Sequence, residues 1–342
     1  MPSCLLFSGF RNDRMVMLLL LAALCSSFLF RDKPHCHRCF DRLLRSSIGT
    51  GSSLQSVSDS DHSLSSLIDR VKANVKPGAI VVIKYGGHAM ENSELRDVFY
   101  DDIACLYRDV GITPVVVHGG GPQIQKMLTN LSVKSNFIDG LRVTDDATME
   151  IAQMVLCGTI NKEIASRISQ KNGVVGAFGL SGLDSGLIKA VRKDVRLGLV
   201  GEPVSVNADI IRRMISMNII PIIAPVGTDK DSGGSLNINA DTAAGAVAEA
   251  LGADYFLLLT DIVGVLDKDK VLIERIPVDR FQSLKDDGTI TGGMIPKLET
   301  AVQAVRAGVG AVSIMDGRVP HSVLRAISGE SFGTIITTTT AH

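Results

Sequence analysis

The chain has 342 residues, 45% of them hydrophobic, with 33 glycines, no tryptophan and a formal net charge of −1 at pH 7. That length supports one large domain or two small ones with a sizeable core, and abundant glycine between short apolar runs suits an α/β protein. A near-neutral chain without a basic stripe argues against binding nucleic acid through its phosphates, and beyond the N-terminus no run is apolar enough to span a membrane.

Residues 15–24 (MVMLLLLAAL) follow Arg11 and Arg14 and precede the small residues Cys25, Ser26 and Ser27. This is the pattern of a signal peptide. From Phe28 the sequence turns basic, Ser-rich and poor in acids, as in an organelle transit peptide. Residues 1–60 therefore read as a two-part targeting leader and linker, of the kind that reaches a plastid through the secretory pathway. The leader holds four of the six cysteines, including the knuckle-like His35-Cys36-His37-Arg38-Cys39. No second ligand pair follows at zinc spacing, so no metal site is assigned. Cys105 and Cys157 sit in apolar helical patterns and read as small core residues.

Residues 51–60 read as a polar linker. Leu64, Leu67, Ile68 and Val71 then recur at i, i+3, i+4 and i+7, which predicts an amphipathic helix over 61–76, capped by Asp61 or Ser63 and ended by Pro77-Gly78. It either packs on its own domain or pairs with another subunit.

The body from residue 78 alternates strands and helices. Strands are expected at 79–84 (AIVVIK), 113–118 (TPVVVH), 174–178, 219–224 (IIPIIA), 255–260 (YFLLLT) and 311–315, and a hairpin within 133–143. Helices are expected at 92–109, from Pro122, and over 146–169. Such alternation implies a three-layer αβα sandwich around a mostly parallel sheet, with ligands at the carboxyl ends of its strands.

The chemistry-bearing motifs fall at those ends. Lys84 closes the first strand and is followed by Gly86 and Gly87; His118 closes the second and is followed by Gly119, Gly120, Gly121 and Pro122. Glycines let backbone N–H groups approach phosphate oxygens, and Pro suits the first turn of the next helix. Neither loop has the spacing of a P-loop or of a dinucleotide fingerprint.

Together with FIDGLRVTD (137–145), LNINADTAA (236–244), LLLTDIVGVL (257–266) and GGMIPKLE (292–299), these blocks resemble the amino-acid kinase family, and within it the acetylglutamate kinases. The likeness spans residues 64–338, and it implies an acetylglutamate-binding lobe (78–228) and a nucleotide-binding lobe (229–342). It implies phosphorylation of the side-chain carboxylate of N-acetylglutamate by ATP, with Mg²⁺ carried by the nucleotide. Two anions must meet, so catalysis is positioning and charge neutralisation. The likeness assigns Lys84 and Lys297 to the transferring phosphoryl and Asp241, which could also cap a helix, to organising both. For the substrate it points to Arg142, whose planar fork suits a carboxylate, with Gly120, Gly121 and Asn237. The nucleotide falls to Gly86, Gly87, Asp261, Ile262, Val263, Gly264, Val265, Leu266, Thr289, Ile290 and Thr291. Like the arginine-inhibited members, the chain carries an apolar helix ahead of its body, and Glu330 and Gly333 match their C-terminal arginine-site pattern. That implies a homo-hexamer (a trimer of dimers), arginine as effector, and a nitrogen-sensor protein as a possible partner. An aspartokinase, a glutamate 5-kinase or a dinucleotide-binding oxidoreductase accounts for fewer of these blocks.

Overall fold

A computed structural model of the protein describes residues 55–338, with side chains from residue 64 onward except His88. The leader and its His35–Cys39 knuckle lie outside the described residues. Asp61–His342 forms a compact unit of its own.

The first strand, β1 (Val81–Tyr85), shows how the layers arise. Val81, Ile83 and Tyr85 enter one apolar cluster and Val82 the other, so both faces of the strand are covered. A doubly covered strand reads as an unbroken apolar run rather than an alternating one. Its parallel neighbour β2 (Val115–His118) does the same, with Val116 on one side and Val115 and Val117 on the other.

Chain order continues with α1 (Gln55–Asn74) ahead of β1, α2 (Ser93–Cys105) between β1 and β2, and α3 (Gly121–Asn130) after β2. The hairpin β3 (Phe137–Ile138) and β4 (Leu141–Arg142) follows, then α4 (Asp146–Gln153) and α5 (Asn161–Ser169) joined by a π-helical segment, Met154–Ile160. Next come β5 (Ala177–Gly182), β6 (Ile188–Arg192), β7 (Val200–Val206), α6 (Ala208–Ser216), β8 (Ile220–Asp229), β9 (Ser235–Ile238) and α7 (Ala240–Leu251). The chain closes with β10 (Tyr255–Thr260), β11 (Arg275–Pro277), α8 (Phe281–Asp286), α9 (Met294–Arg306), β12 (Ala311–Asp316), α10 (Ser322–Ile327) and β13 (Thr334–Thr337).

One sheet runs β11-β13-β12-β10-β1-β2-β8-β6-β7-β9, with β5 also on β8. Its pairings are parallel except β12–β13, β6–β7 and β8–β9. Helices α1, α2, α4, α5 and α10 cover one face and α6, α7, α8 and α9 the other. This is the expected αβα sandwich. The long β8 serves two neighbourhoods, its first half bonding β2 and β5 and its second β6 and β9. Position 228 falls inside it, so the two expected lobes share one sheet.

Three sequence expectations need correction. The polar stretch 51–60 is helical from Gln55, and neither Asp61 nor Ser63 starts α1. After Gly51 no Gly or Pro interrupts the run, so cap chemistry at Asp61 does not stop helix propagation. The strand placed at 174–178 is β5, shifted toward its carboxyl end, because Gly179 and Gly182 hid the pattern. Strands β6, β7, β9, β11 and β13, toward the two ends of the strand order, have no counterpart in the sequence reading, because each is half polar and none is an unbroken apolar run. Pro203 in β7 sits beside a register shift in the β6–β7 ladder, where a missing N–H is tolerated.

The stripe on α1 packs on its own body. Leu67 and Val71 are buried with Val75 in the first cluster, and Leu64 and Ile68 pack against it.

Candidate active site

The carboxyl ends of β1 and β2, the hairpin, β9 and the start of α7 enclose a cavity of about 310 Å³. Its walls include Lys84, Gly87, Gly120, Gly121, Arg142, Asn237, Asp241 and Lys297. Eight residues chosen from scattered blocks thus share one space.

Asp241 is its electrostatic centre. It lies in the first turn of α7, where Asn239 is the N-cap, accepting from the N–H groups of Asp241 and Thr242 at 2.9 and 3.2 Å. The cap role considered for Asp241 therefore belongs to Asn239, which leaves the Asp241 carboxylate free for the lysines. Lys297, from the first turns of α9, donates to Oδ2 at 2.6 Å. Lys84 Nζ stands 2.9 Å from Oδ1 as an ion pair. Burial alone would raise the Asp241 carboxyl, but the two ammonium groups more than reverse it and hold it far below the ordinary carboxylate range. Two cations are thus fixed on one buried carboxylate at a cavity wall, with a surplus of one positive charge.

At two points the absent Cβ leaves room for a neighbouring side chain. A Cβ on Gly86 would lie 2.9 Å from Lys84 Nζ, and one on Gly120 would lie 2.5 Å from Ile160 Cδ1 and 2.8 Å from Leu156 Cδ2. Both those side chains come from the π-helical segment, a distortion often found at functional sites.

Arg142, at the end of β4, is buried and stacks its guanidinium 4.6 Å from the Phe137 ring. It donates to Gln125 Oε1 at 2.6 Å, to Ser135 Oγ and to the Gly121 carbonyl at 3.2 Å. All are neutral acceptors, and burial alone pulls its guanidinium down, with no carboxylate acting on it among the described residues. A buried cation balanced only by dipoles is an energetic liability that an anionic ligand relieves. Asn237, opposite, donates to Thr144 Oγ1 at 3.3 Å from the β9 edge.

The segment chosen for the nucleotide lies outside this cavity. It begins at the carboxyl end of β10, and the space where a Gly87 Cβ would stand is closed by Asp261 Oδ1 at 2.6 Å, so the two loops touch. Ile262, Val263 and Leu266 are exposed apolar side chains, whereas Val265 and Ile290 are buried in the core and leave only backbone to a ligand. Thr289 is held by Asp287 Oδ1 through its N–H at 2.9 Å and its hydroxyl at 2.6 Å. Gly264 has φ 143°, and its missing Cβ makes room for Leu272 and Thr334.

Glu330 and Gly333 are elsewhere. Glu330 is paired with Arg70 of α1 and accepts from Arg325 Nε at 3.0 Å. Gly333 has φ 82°, and a Cβ there would sit 2.4 Å from the Ile314 carbonyl, so packing alone demands glycine.

Sequence reasoning missed Asn239 and the pair His118–Asn161 behind the glycine loop. Asn239 was visible as an Asn two positions before Asp241, a common N-cap pattern; Asn161 carried no local signal, because its partners come from three separate strands.

Residues 79–316 match the family model described as amino acid kinase family. The chain belongs to that family. The curated relatives it resembles include acetylglutamate kinases: that of Rhodospirillum rubrum is 52% identical over 274 residues, 76% of this chain and 87% of the relative. That of Rhodospirillum centenum is 50% identical over 273 residues, 76% of this chain and 88% of the relative. Among solved structures, the smu.665 protein of Streptococcus mutans UA159 is 33% identical with a TM-score of 0.62, covering 75% of this chain and 98% of that one.

Proposed function

We propose that this chain transfers the γ-phosphoryl group of ATP to the side-chain carboxylate of N-acetyl-L-glutamate, giving N-acetylglutamyl 5-phosphate and ADP, the second step of arginine biosynthesis. The observation that carries this is the Lys84–Asp241–Lys297 cluster facing buried Arg142 and Asn237 across one small cavity. An acceptor carboxylate and a polyphosphate repel, and the two ammonium groups lower that barrier as charge develops on the transferring oxygens. Asp241 keeps both aimed. Arg142 takes the α-carboxylate, and Asn237 with the Gly120 and Gly121 N–H groups orients the remainder. Mg²⁺ enters as part of the substrate Mg-ATP, held chiefly by phosphates and water; among the described residues no group of three acidic, His or Cys side chains offers a cage. Incubation with N-acetylglutamate, Mg-ATP and hydroxylamine should accumulate a hydroxamate. Its absence, with ADP also absent, would reject the assignment.

The same reading includes feedback by arginine on a hexameric enzyme, a nitrogen-sensor partner and a plastid location. Its supports are the helix preceding the body, Glu330 beside that helix, and the leader composition. Arginine would bind one state better than another and shift the population toward weak acetylglutamate binding. Millimolar arginine should inhibit the full chain and spare Glu330→Gln; equal sensitivity of both would remove Glu330 from the site. A fluorescent protein fused behind residues 1–60 should enter a plastid, and its secretion would reject the location.

A further inference from the structure

His118 closes β2 with no exposed surface, and it stands one residue before the glycine loop. We infer that His118 is a positioning residue: its ring, oriented by Asn161, holds the Gly119 carbonyl on the buried side and thereby aims the Gly120 N–H into the cavity.

The Gly119 carbonyl and Asn161 together decide which ring nitrogen carries the proton. Its Nδ2 lies 2.9 Å from the Ile222 carbonyl, 3.1 Å from the Leu180 carbonyl and 3.2 Å from His118 Nε2. The carbonyls only accept, so the amide nitrogen must face them, and Lys162 Nζ at 3.2 Å from Oδ1 fixes the same orientation. The amide has two hydrogens to share among these three contacts, so the deciding partner is the Gly119 carbonyl, which only accepts: the proton sits on Nδ1, and Nε2 is left as an acceptor toward the amide. Nδ1 is 2.9 Å from the Gly119 oxygen and donates to it. The room for this amide is built in, since a Cβ on Gly179 would fall 2.0 Å from Asn161 Oδ1. Burial pushes the His118 imidazole down to about 4, so the ring stays neutral through the working range. A charged ring would donate from both nitrogens and break the contact with Asn161.

The consequence for the loop is geometric. The Gly119 carbonyl and the Gly120 N–H belong to one peptide unit, and in a trans peptide they point in opposite directions. No described peptide is cis. The preceding peptide unit is held as well, since Gly119 N–H donates to the Tyr85 carbonyl at 2.7 Å and extends the β1–β2 ladder, which fixes the Cα from which the Gly119 carbonyl projects. With the oxygen anchored toward His118, the N–H points away from it, and Gly120 lines the cavity. Glycine has no side chain to resist a peptide flip, so the anchor has to come from a neighbour. The donor serves an anionic group, either the acceptor carboxylate or the transferring phosphoryl; that part rests on the phosphoryl-transfer reading above.

The test uses the full chain. Long-range ¹H–¹⁵N spectra, with His118 assigned by loss of its signals in His118→Asn, should show the Nδ1–H tautomer from pH 8 down to about pH 5. An Nε2–H tautomer overturns the inference whatever the enzyme's substrate. In kinetics, His118→Leu should lower kcat with N-acetylglutamate about 10- to 100-fold, the scale for one misaimed transition-state donor. KM for ATP should stay within about threefold and His118→Asn, whose amide nitrogen stands in for Nδ1, should recover to within about fivefold of wild type. A His118→Leu enzyme with wild-type kcat, or a His118→Asn enzyme no better than it, overturns the inference. Failure of the wild type to make hydroxamate strikes the phosphoryl-transfer reading instead, and the tautomer result still decides the role of the ring.

Discussion

Replacing Asp241 by Asn removes the one negative charge between Lys84 and Lys297, at 2.9 and 2.6 Å. The three groups then sum to +2 instead of +1 in a place where the Lys84 side chain is 9% exposed. Removing one partner of a buried pair costs about 3–5 kcal/mol. Lys297 keeps 23% of its side chain in water, which places this case near the lower bound. A loss of about 3 kcal/mol lowers Tm by roughly 6–12 °C in a domain of this size. The amide turns its oxygen to one lysine and its NH2, a donor, to the other, so that second lysine swings away, and kcat should fall about 10²- to 10³-fold. Mg-ATP supplies negative charge to both ammonium groups and should restore more stability to Asp241→Asn than to wild type. Thermal unfolding with and without Mg-ATP, beside steady-state ADP release, reads all three. The pH dependence has a definite sign. Asp241 is depressed in the folded state, so its contribution is complete above the unfolded value of about 3.9 and is lost as pH falls below it. The variant's acid limb should be flatter. A variant with near-wild-type kcat, or one that Mg-ATP stabilises no more than wild type, would refute the reasoning.

Lys84→Ala and Lys297→Ala should each lower kcat by about two to four orders of magnitude, whereas Arg142→Ala should act chiefly on KM for N-acetylglutamate; initial-rate kinetics over both substrates separates the two. Leu67→Ala, which hollows the contact of α1 with the body, should cost about 2–4 kcal/mol in denaturant unfolding with kcat intact; a smaller cost would mean that α1 does not complete the core. His118 is depressed to about 4 from an unfolded value of about 6.5, so its stabilising contribution is full above pH 6.5 and is lost as pH falls through that window toward 4. His118→Asn should therefore show a shallower decline in Tm between pH 6.5 and 4.

The central strands were legible because burial on both faces makes them unbroken apolar runs; 255–260 coincides with β10 residue for residue. The strands toward the ends of the strand order were not, because a strand such as β6 (IKAVR) needs apolar side chains on one face only and is recognisable chiefly by its partners. Lys84, Asp241 and Lys297 were readable from motif blocks, and the fold adds what spacing does not give: that one carboxylate holds both ammonium groups. Asn161 escaped because its three acceptors lie on β2, β5 and β8, brought together by sheet order alone. At Gly333 the chain's own packing gives sufficient reason for the glycine, and Glu330 already has two guanidinium partners.

The most direct test of the central claim is the acceptor preference of the full chain at saturating Mg-ATP. Measured as kcat/KM from ADP release, N-acetylglutamate should exceed glutamate, aspartate and carbamate by orders of magnitude, with hydroxamate formed in step. Equal or faster turnover of an unacetylated acceptor would contradict the account.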